Sequence, residues 1–447
     1  MPPSRSSRRK YLPDNSLIRQ QRSWYFYDFA NSAFASTVVT LFLGPWLTVL
    51  AKAGADPSGF IYPLGIPVDA RSYWGYLISL SVLSQVFCLP VAGALADRSR
   101  HKKQLLGLFA YIGAAATMAM FWLDGARYLL GGAIFLVANL AFGASIVIYN
   151  AFLPSISTEQ ERDTVSSRGW GFGYLGGGIL LGLNLVLYKN AEAWGLGEGL
   201  AVRISLASAG IWWALFSAIP MLGLRNPRVA IPAHTGHGAL SEGFLQLWTT
   251  LRSLRAYPHA LLFLVAYLLY NDAIQAVITL SGQFGSDYLK IPMAQLTLAI
   301  LMVQFVAVAG AMGMNEIAKR ISAKRTVELA LVAWILLMLG VFFVKTTAHF
   351  FIAAALVALI MGGSQALSRS LFSLMIPKGR EAEYFSLYEI SDKGTSWLAP
   401  LLFSLTLQLT GSYQLGILSQ VVFFAAGLFL LMRVDVQRAA REAGNSI

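Results

Sequence analysis

The feature that most constrains this chain is a series of apolar runs, each of roughly 20 residues, that recurs along its whole length. A run of that length crosses the hydrocarbon core of a bilayer as an α-helix. Within the bilayer every backbone N–H and C=O group needs a partner in the protein, and a helix supplies these partners itself. The chain is 56% hydrophobic and only 13% charged, about half the charged fraction of a soluble domain. The sequence therefore predicts an all-α polytopic membrane protein.

Twelve transmembrane helices are predicted. They cover residues 23–52, 73–96, 103–123, 128–153, 168–188, 203–224, 259–281, 294–316, 325–345, 348–376, 384–409 and 412–432. When the N-terminus is placed inside, most of the 34 Lys and Arg residues lie in segments on the inner side of the membrane. Because cytoplasmic loops carry an excess of these residues, we expect both termini in the cytoplasm. The same bias accounts for the net charge of +12 without a nucleic-acid partner.

These spans divide the chain into five segments. They are a basic cytoplasmic tail (1–22), an N-terminal six-helix half (23–224), a central cytoplasmic loop (225–258), a C-terminal six-helix half (259–432) and a second cytoplasmic tail (433–447). The first tail lacks the apolar core of a signal peptide, although its Ser and Arg content leaves a short organellar transit peptide as an alternative. The central loop contains "LSEGFLQLWTTLRSLR", whose apolar residues share one helical face. That pattern predicts an amphipathic helix on the inner membrane surface.

The two halves are predicted to be repeats of each other. "ADRSRHKK" from Ala96 matches "AKRISAKR" from Ala318, and each occupies the loop after the second span of its half. Pro154 and Pro377 end the fourth span of each half at nearly the same offset. Two parallel six-helix repeats joined by a central loop are the layout of the major facilitator superfamily.

Three sequence blocks carry a resemblance to a known family. "GALADRSRHKKQLL" looks like the signature loop of the major facilitator superfamily, with Gly93, Asp97, Arg98 and Lys102 at matching positions and Arg100 where a second glycine is usual. "YDFANSAFAS" and "EAEYFSLYEISDKGTSWLAP" resemble the so-called unknown major facilitator family, which is related to the vacuolar amino-acid effluxers of fungal autophagy. The resemblance implies the two-half fold and a secondary transporter of a small solute, with amino acids and efflux as expectations. It also implies that Asp97 helps to latch an inner gate.

Polar residues inside the predicted spans are the candidates for function. A charge at the centre of a span costs about 2.5 kcal/mol or more, so such residues usually face the bundle interior or a water-filled cavity. The candidates for substrate binding or coupling are Asp28, Asn31, Asn150, Asn271, Asp272, Gln275, Arg369, Glu389, Asp392 and Lys393.

Roles for these candidates follow from their chemistry. Arg369 or Lys393 would receive an anionic group such as a carboxylate, since a guanidinium can bind both of its oxygens. Asp272 would serve an amino group or a coupling proton, because burial raises the pKa of an acid. The alternative for these three residues is an ion-pair network that fixes the packing. Asp28 lies near the start of its span, so an inner-gate role and a structural partnership both stay open.

Other functions find little support in the sequence. The single cysteine, Cys88, excludes an internal disulfide and a cysteine-based metal site. The five histidines lie in loops or at span ends, so we expect no enzyme activity, metal or cofactor. No ATP-binding motif is visible, which makes a proton gradient the expected energy source. A lipid flippase or scramblase on the same fold, or a sensor that does not transport, stays open. We expect a monomer in a bacterial inner membrane.

Overall fold

The computed structural model describes residues 15–157, 162–226, 252, 254–376, 388 and 397–444. Its main helices are α1 (Ser16–Ala53), α2 (Tyr73–Arg98), α3 (Lys102–Trp122), α4 (Tyr128–Asn150), α5 (Arg162–Asn190), α6 (Glu198–Gly223), α7 (Pro258–Tyr288), α8 (Met293–Ile321), α9 (Ala323–Phe343), α10 (Thr347–Leu374), α11 (Leu398–Thr410) and α12 (Tyr413–Met432). Ten of these helices are long and apolar enough to cross a membrane, and α2 and α11 contain shorter apolar stretches, Tyr73–Leu89 and Leu398–Thr410. The predicted all-α membrane protein is confirmed.

The remaining elements are short. They are helices Leu153–Ile156 and Val436–Glu442, the 3-10 turns Pro63–Gly65 and Leu254–Ala256, and strands β1 (Phe60–Ile61) and β2 (Val68–Asp69). The strands pair antiparallel within the loop that joins α1 to α2, with Phe60 opposite Asp69. The predicted amphipathic helix lies mostly outside the described residues.

Two helices carry stretches wound more widely than an α-helix. In α1 a π-helical segment runs from Phe34 to Phe42, and the Thr40 hydroxyl donates to the carbonyl of Ala35 at 3.0 Å. In α7 the last turns, Phe284–Tyr288, are also π-helical. Such segments are rare and frequently mark functional sites. The α7 segment lies at the end of the bundle that carries the α1–α2 loop, and the α1 segment lies near the middle of its helix.

Glycines bring α5 close to α1. A Cβ at Gly173 would lie 2.7 Å from the Ser32 hydroxyl, and one at Gly176 would overlap the carbonyl of Phe29. Small residues allow helix backbones to approach closely within a membrane. The glycine-rich stretch "GWGFGYLGGGILLG" therefore acts in helix packing.

The helices form two groups, α1–α6 and α7–α12. Between the groups, α1 packs on α7, α2 packs on α11 and α5 packs on α8. These pairs are related by the repeat, since α7 corresponds to α1, α8 to α2 and α11 to α5. Within the groups, large side chains such as Trp24, Trp74 and Trp334 are fully buried and fill the space between helices.

Candidate functional site

Among the described residues, the hydrogen bonds and the ion pair that join the two halves cluster at one end of the bundle, where the α1–α2 loop lies. Gln283 is central to them: its side chain is 1% exposed, and its amide donates to the Thr48 hydroxyl at 3.0 Å and to the Arg71 carbonyl at 2.5 Å. The Arg71 guanidinium donates across the boundary to the carbonyl of Gly411 at 3.1 Å. We call Thr48, Lys52, Arg71, Gln283, Asp287 and Tyr413 the gate cluster.

An ion pair reinforces the gate cluster. Asp287 at the end of α7 pairs with Lys52 at the end of α1, and the Tyr413 hydroxyl donates to the same carboxylate. The Asp287 side chain is 10% exposed and that of Lys52 is 41% exposed. Lys290 lies 3.7 Å from the same carboxylate. Because the carboxylate is nearly buried, these partners anchor it more firmly than an exposed pair would.

No cross-half hydrogen bond among the described residues lies at the opposite end of the bundle. There the last turns of α10 present Arg369, Ser370 and Ser373 as an exposed face. The final turns of α8 are also mostly exposed. Since an arginine in hydrocarbon is costly, this polar face favours contact with water or lipid head groups. The bundle is thus closed at the gate cluster, and polar surface is exposed at the other end.

A polar cluster lies halfway along α7. Asp272 is 1% exposed, and its carboxylate accepts from the backbone N–H of Ala399 at 3.0 Å, at the first turn of α11. A helix N-terminus favours an anion because its N–H groups lack partners within the helix. The Asn271 side-chain oxygen accepts from Gln365 on α10 at 3.2 Å. Gln275, one turn further along, is half-buried.

The matching position in the other half holds Asp28. "YDFANSA" in α1 aligns with "YNDAIQA" in α7, which places Asp28 opposite Asn271 in the repeat. The Tyr149 hydroxyl of α4 donates to Asp28 at 2.8 Å, and the Tyr149 ring stacks on Trp24 with centroids 4.2 Å apart. Asp28 thus lies among α1, α4 and α5 with a neutral partner.

The remaining predicted site residues lie in different surroundings. Asn31 is buried and Asn150 half-buried. Gly93 lies in α2 against Val147, and Lys102 at the start of α3 is 6% exposed. The side chains of Asp97 and Arg98 lie outside the described part of the chain, as do Glu389, Asp392 and Lys393.

Sequence reasoning missed the gate cluster. Its residues lie at span ends, where a charge is inexpensive and carries little information. One sequence signal could have indicated the gate cluster. A base, Lys52, and an acid, Asp287, end two helices that correspond to each other in the repeat. Sequence reasoning also missed a buried network between α2 and α4, in which Gln85 donates to the Asn139 carbonyl at 3.0 Å and Asn139 donates to Ser81 at 2.6 Å.

Comparisons with known proteins identify the family of this chain. The family model described as "Vacuole effluxer Atg22 like" matches residues 18–444. The chain belongs to this family. It is 32% identical over 417 residues to the uncharacterized MFS-type transporter YxiO of Bacillus subtilis, spanning 93% of this chain and 94% of that protein. It is 27% identical over 475 residues to autophagy-related protein 22 of Yarrowia lipolytica, spanning 87% and 80%.

Among solved structures, the xylose transporter XylE from E. coli in a partially occluded inward-open conformation shares the fold. Its TM-score is 0.67 at 10% identity, with 94% of this chain and 97% of that chain covered. The predicted major facilitator fold and family are confirmed. This member of the Atg22-like family is therefore an integral, multi-pass membrane transporter rather than an enzyme.

Proposed function

We propose that this transporter exports a small zwitterionic solute of the amino-acid class by alternating access, coupled to protons. The observation that carries the proposal is the gate cluster, in which hydrogen bonds and an ion pair join the two halves at one end of the bundle. A carrier of this fold works by rocking its halves around a central site, so that one end is closed while the other is open. The gate cluster closes one end, and the exposed polar face of α10 lies at the other.

The orientation follows from the distribution of charge. With both termini in the cytoplasm, most basic residues lie on the inner side, and the gate cluster closes the outer side. The protein then faces inward, with all twelve helices crossing the membrane. A relative in Bacillus subtilis supports a bacterial inner membrane as its location, and a monomer is the unit that we propose.

The substrate class rests on complementary charge and on the resemblance to vacuolar amino-acid effluxers. Arg369 is exposed on α10 and would receive a carboxylate through its planar fork of N–H donors. The polar side chains of Asn271 and Gln275 lie on α7 one turn apart and would bind an amino group. Asp272 would carry the coupling proton, since it is the buried carboxyl beside Asn271 halfway along α7.

Asp272 has two roles in this account, and substitutions separate them. Asp272→Asn keeps an oxygen that accepts from the Ala399 N–H but cannot be ionised. In proteoliposomes we expect it to abolish proton-driven uptake and to retain counterflow. Asp272→Ala also removes the acceptor, so it should lower thermal stability by about 1–3 kcal/mol as well. Intact proton-driven uptake by Asp272→Asn would show that the residue only caps α11.

A further inference from the structure

A groove outside the proposed transport pathway lies at the N-terminal end of α1. Its cavity is about 400 Å³ in volume. It is lined by Ile18, Arg19, Arg22, Ser23 and Phe26 of α1 and by Ile219 of α6. The groove thus combines two cationic side chains at its mouth with an apolar floor.

The position of α6 shows which medium the groove meets. Leu215 and Leu222 lie one turn on either side of Ile219 on the same helical face, and they are 64% and 81% exposed. Since α6 crosses the bilayer, an exposed apolar stripe of this kind meets lipid. The groove therefore opens on a lipid-facing surface at the level where α1 and α6 leave the membrane.

The two arginines are available to a ligand. Arg19 and Arg22 are exposed, and neither forms an ion pair with a carboxylate among the described residues. They are three residues apart on one helix, so their side chains extend from neighbouring positions on one face. A third base, Arg225, lies nearby, because its backbone N–H donates to Gln20 at 3.2 Å.

We propose that this groove binds an anionic phospholipid. The phosphate would accept from the guanidinium groups of Arg19 and Arg22, which match phosphate oxygens in a two-point geometry. Phe26 and Ile219 would contact the start of an acyl chain. Basic pockets between transmembrane helices at the cytoplasmic surface are suited to such head groups. The ligand is thus a phosphodiester with net negative charge, held at the leaflet that meets the N-terminus.

The test uses the full-length protein in detergent micelles, titrated with phosphatidylglycerol and followed by native mass spectrometry of retained lipid. The double variant Arg19→Gln/Arg22→Gln should weaken phosphatidylglycerol binding by about 5- to 30-fold, because it removes two basic side chains that attract the anionic head group. The control is Lys319→Gln/Arg320→Gln. It removes two exposed positive charges from the last turn of α8, outside the groove. It should change binding by less than about twofold.

The other outcomes decide against the groove. Equal loss in both double variants would mean general attraction to the positive surface, and no loss in the groove variant would place the lipid elsewhere. Retention of phosphatidylcholine as strong as that of phosphatidylglycerol would exclude recognition of charge. Complete displacement by inorganic phosphate would identify a site for a soluble anion instead of a lipid. We expect the groove variant to retain counterflow, because the groove lies outside the proposed transport pathway. A loss of lipid binding with retained counterflow then supports the groove without testing the transport mechanism.

Discussion

Gln283→Ala is the substitution that should shift the two-state equilibrium of this transporter most cleanly. The Gln283 amide makes two hydrogen bonds across the boundary, to Thr48 at 3.0 Å and to the Arg71 carbonyl at 2.5 Å. Each contributes about 0.5–1.5 kcal/mol net, so their loss should weaken the closed end at the gate cluster by about 1–3 kcal/mol. An energy of that size corresponds to a change of about 5- to 150-fold in the ratio of the two states.

A buried reporter at the contact between α2 and α11 measures this ratio. Ser404 is 0% exposed and packs directly against Gly75 of the other half. In a Cys88→Ser background, Ser404→Cys would be labelled by a membrane-impermeant maleimide only when the outer end opens. Gln283→Ala should therefore raise the labelling rate by about 5- to 150-fold, measured in right-side-out vesicles.

The matched control is another buried glutamine whose partner lies in its own half. Gln85 is 5% exposed and donates to the Asn139 carbonyl at 3.0 Å, within α1–α6. Gln85→Ala should lower stability without changing the labelling rate by more than about twofold. The reasoning is refuted if Gln283→Ala labels at the parental rate, or if both variants increase labelling equally.

Two further predictions concern packing and the loop between α1 and α2. Gly176→Ala should lower the free energy of unfolding by about 1–3 kcal/mol in thermal melts, because its Cβ overlaps the Phe29 carbonyl, whereas Gly178→Ala meets nothing within 4 Å and should be neutral or mildly stabilising. Hydrogen bonds from the Tyr62 hydroxyl and then the Phe60 N–H hold the pKa of Asp56 below its usual value. The stabilisation of the loop by these hydrogen bonds is fully present above the ordinary carboxyl pKa of about 4 and is lost as the pH falls through the lower pKa of Asp56 in the folded protein. Pepsin should therefore cut the loop faster as the pH falls. Asp56→Asn should make cleavage less dependent on pH, and an unchanged profile would contradict this assignment.

Much of the fold was predictable because hydrophobic transfer to lipid depends on composition and length. Most of the observed helices begin and end within a few residues of the predicted spans, and the difference at the N-terminus is informative. The first helix begins at Asn15 rather than near residue 23. Its polar first turns contact the segment that follows α6, where the Arg225 N–H donates to Gln20. Hydropathy detects insertion into lipid and misses helical turns that neighbouring elements stabilise in water.

The candidate site was less predictable, because its contacts join distant parts of the chain. The burial of Asp272 follows from its depth in α7, but its partner is a backbone N–H 127 residues away at the start of α11. Lys52 and Asp287 are 235 residues apart, and their charges alone did not distinguish a gate from an interface. For Arg369, the sequence predicts a position inside the tenth span, whereas its exposure depends on how the neighbouring helices pack.

The most direct test of transport is uptake by proteoliposomes that contain the folded, correctly inserted protein. A pooled set of labelled amino acids and small peptides would be offered with and without an outward proton gradient, that is, with an acidic lumen, because an exporter that exchanges solute for protons takes up solute as protons leave the vesicle. Accumulation should require this gradient in the parent protein and should be absent in Asp272→Asn. Uptake that is indifferent to the gradient would contradict proton coupling, and the absence of any uptake would contradict the proposed substrate class.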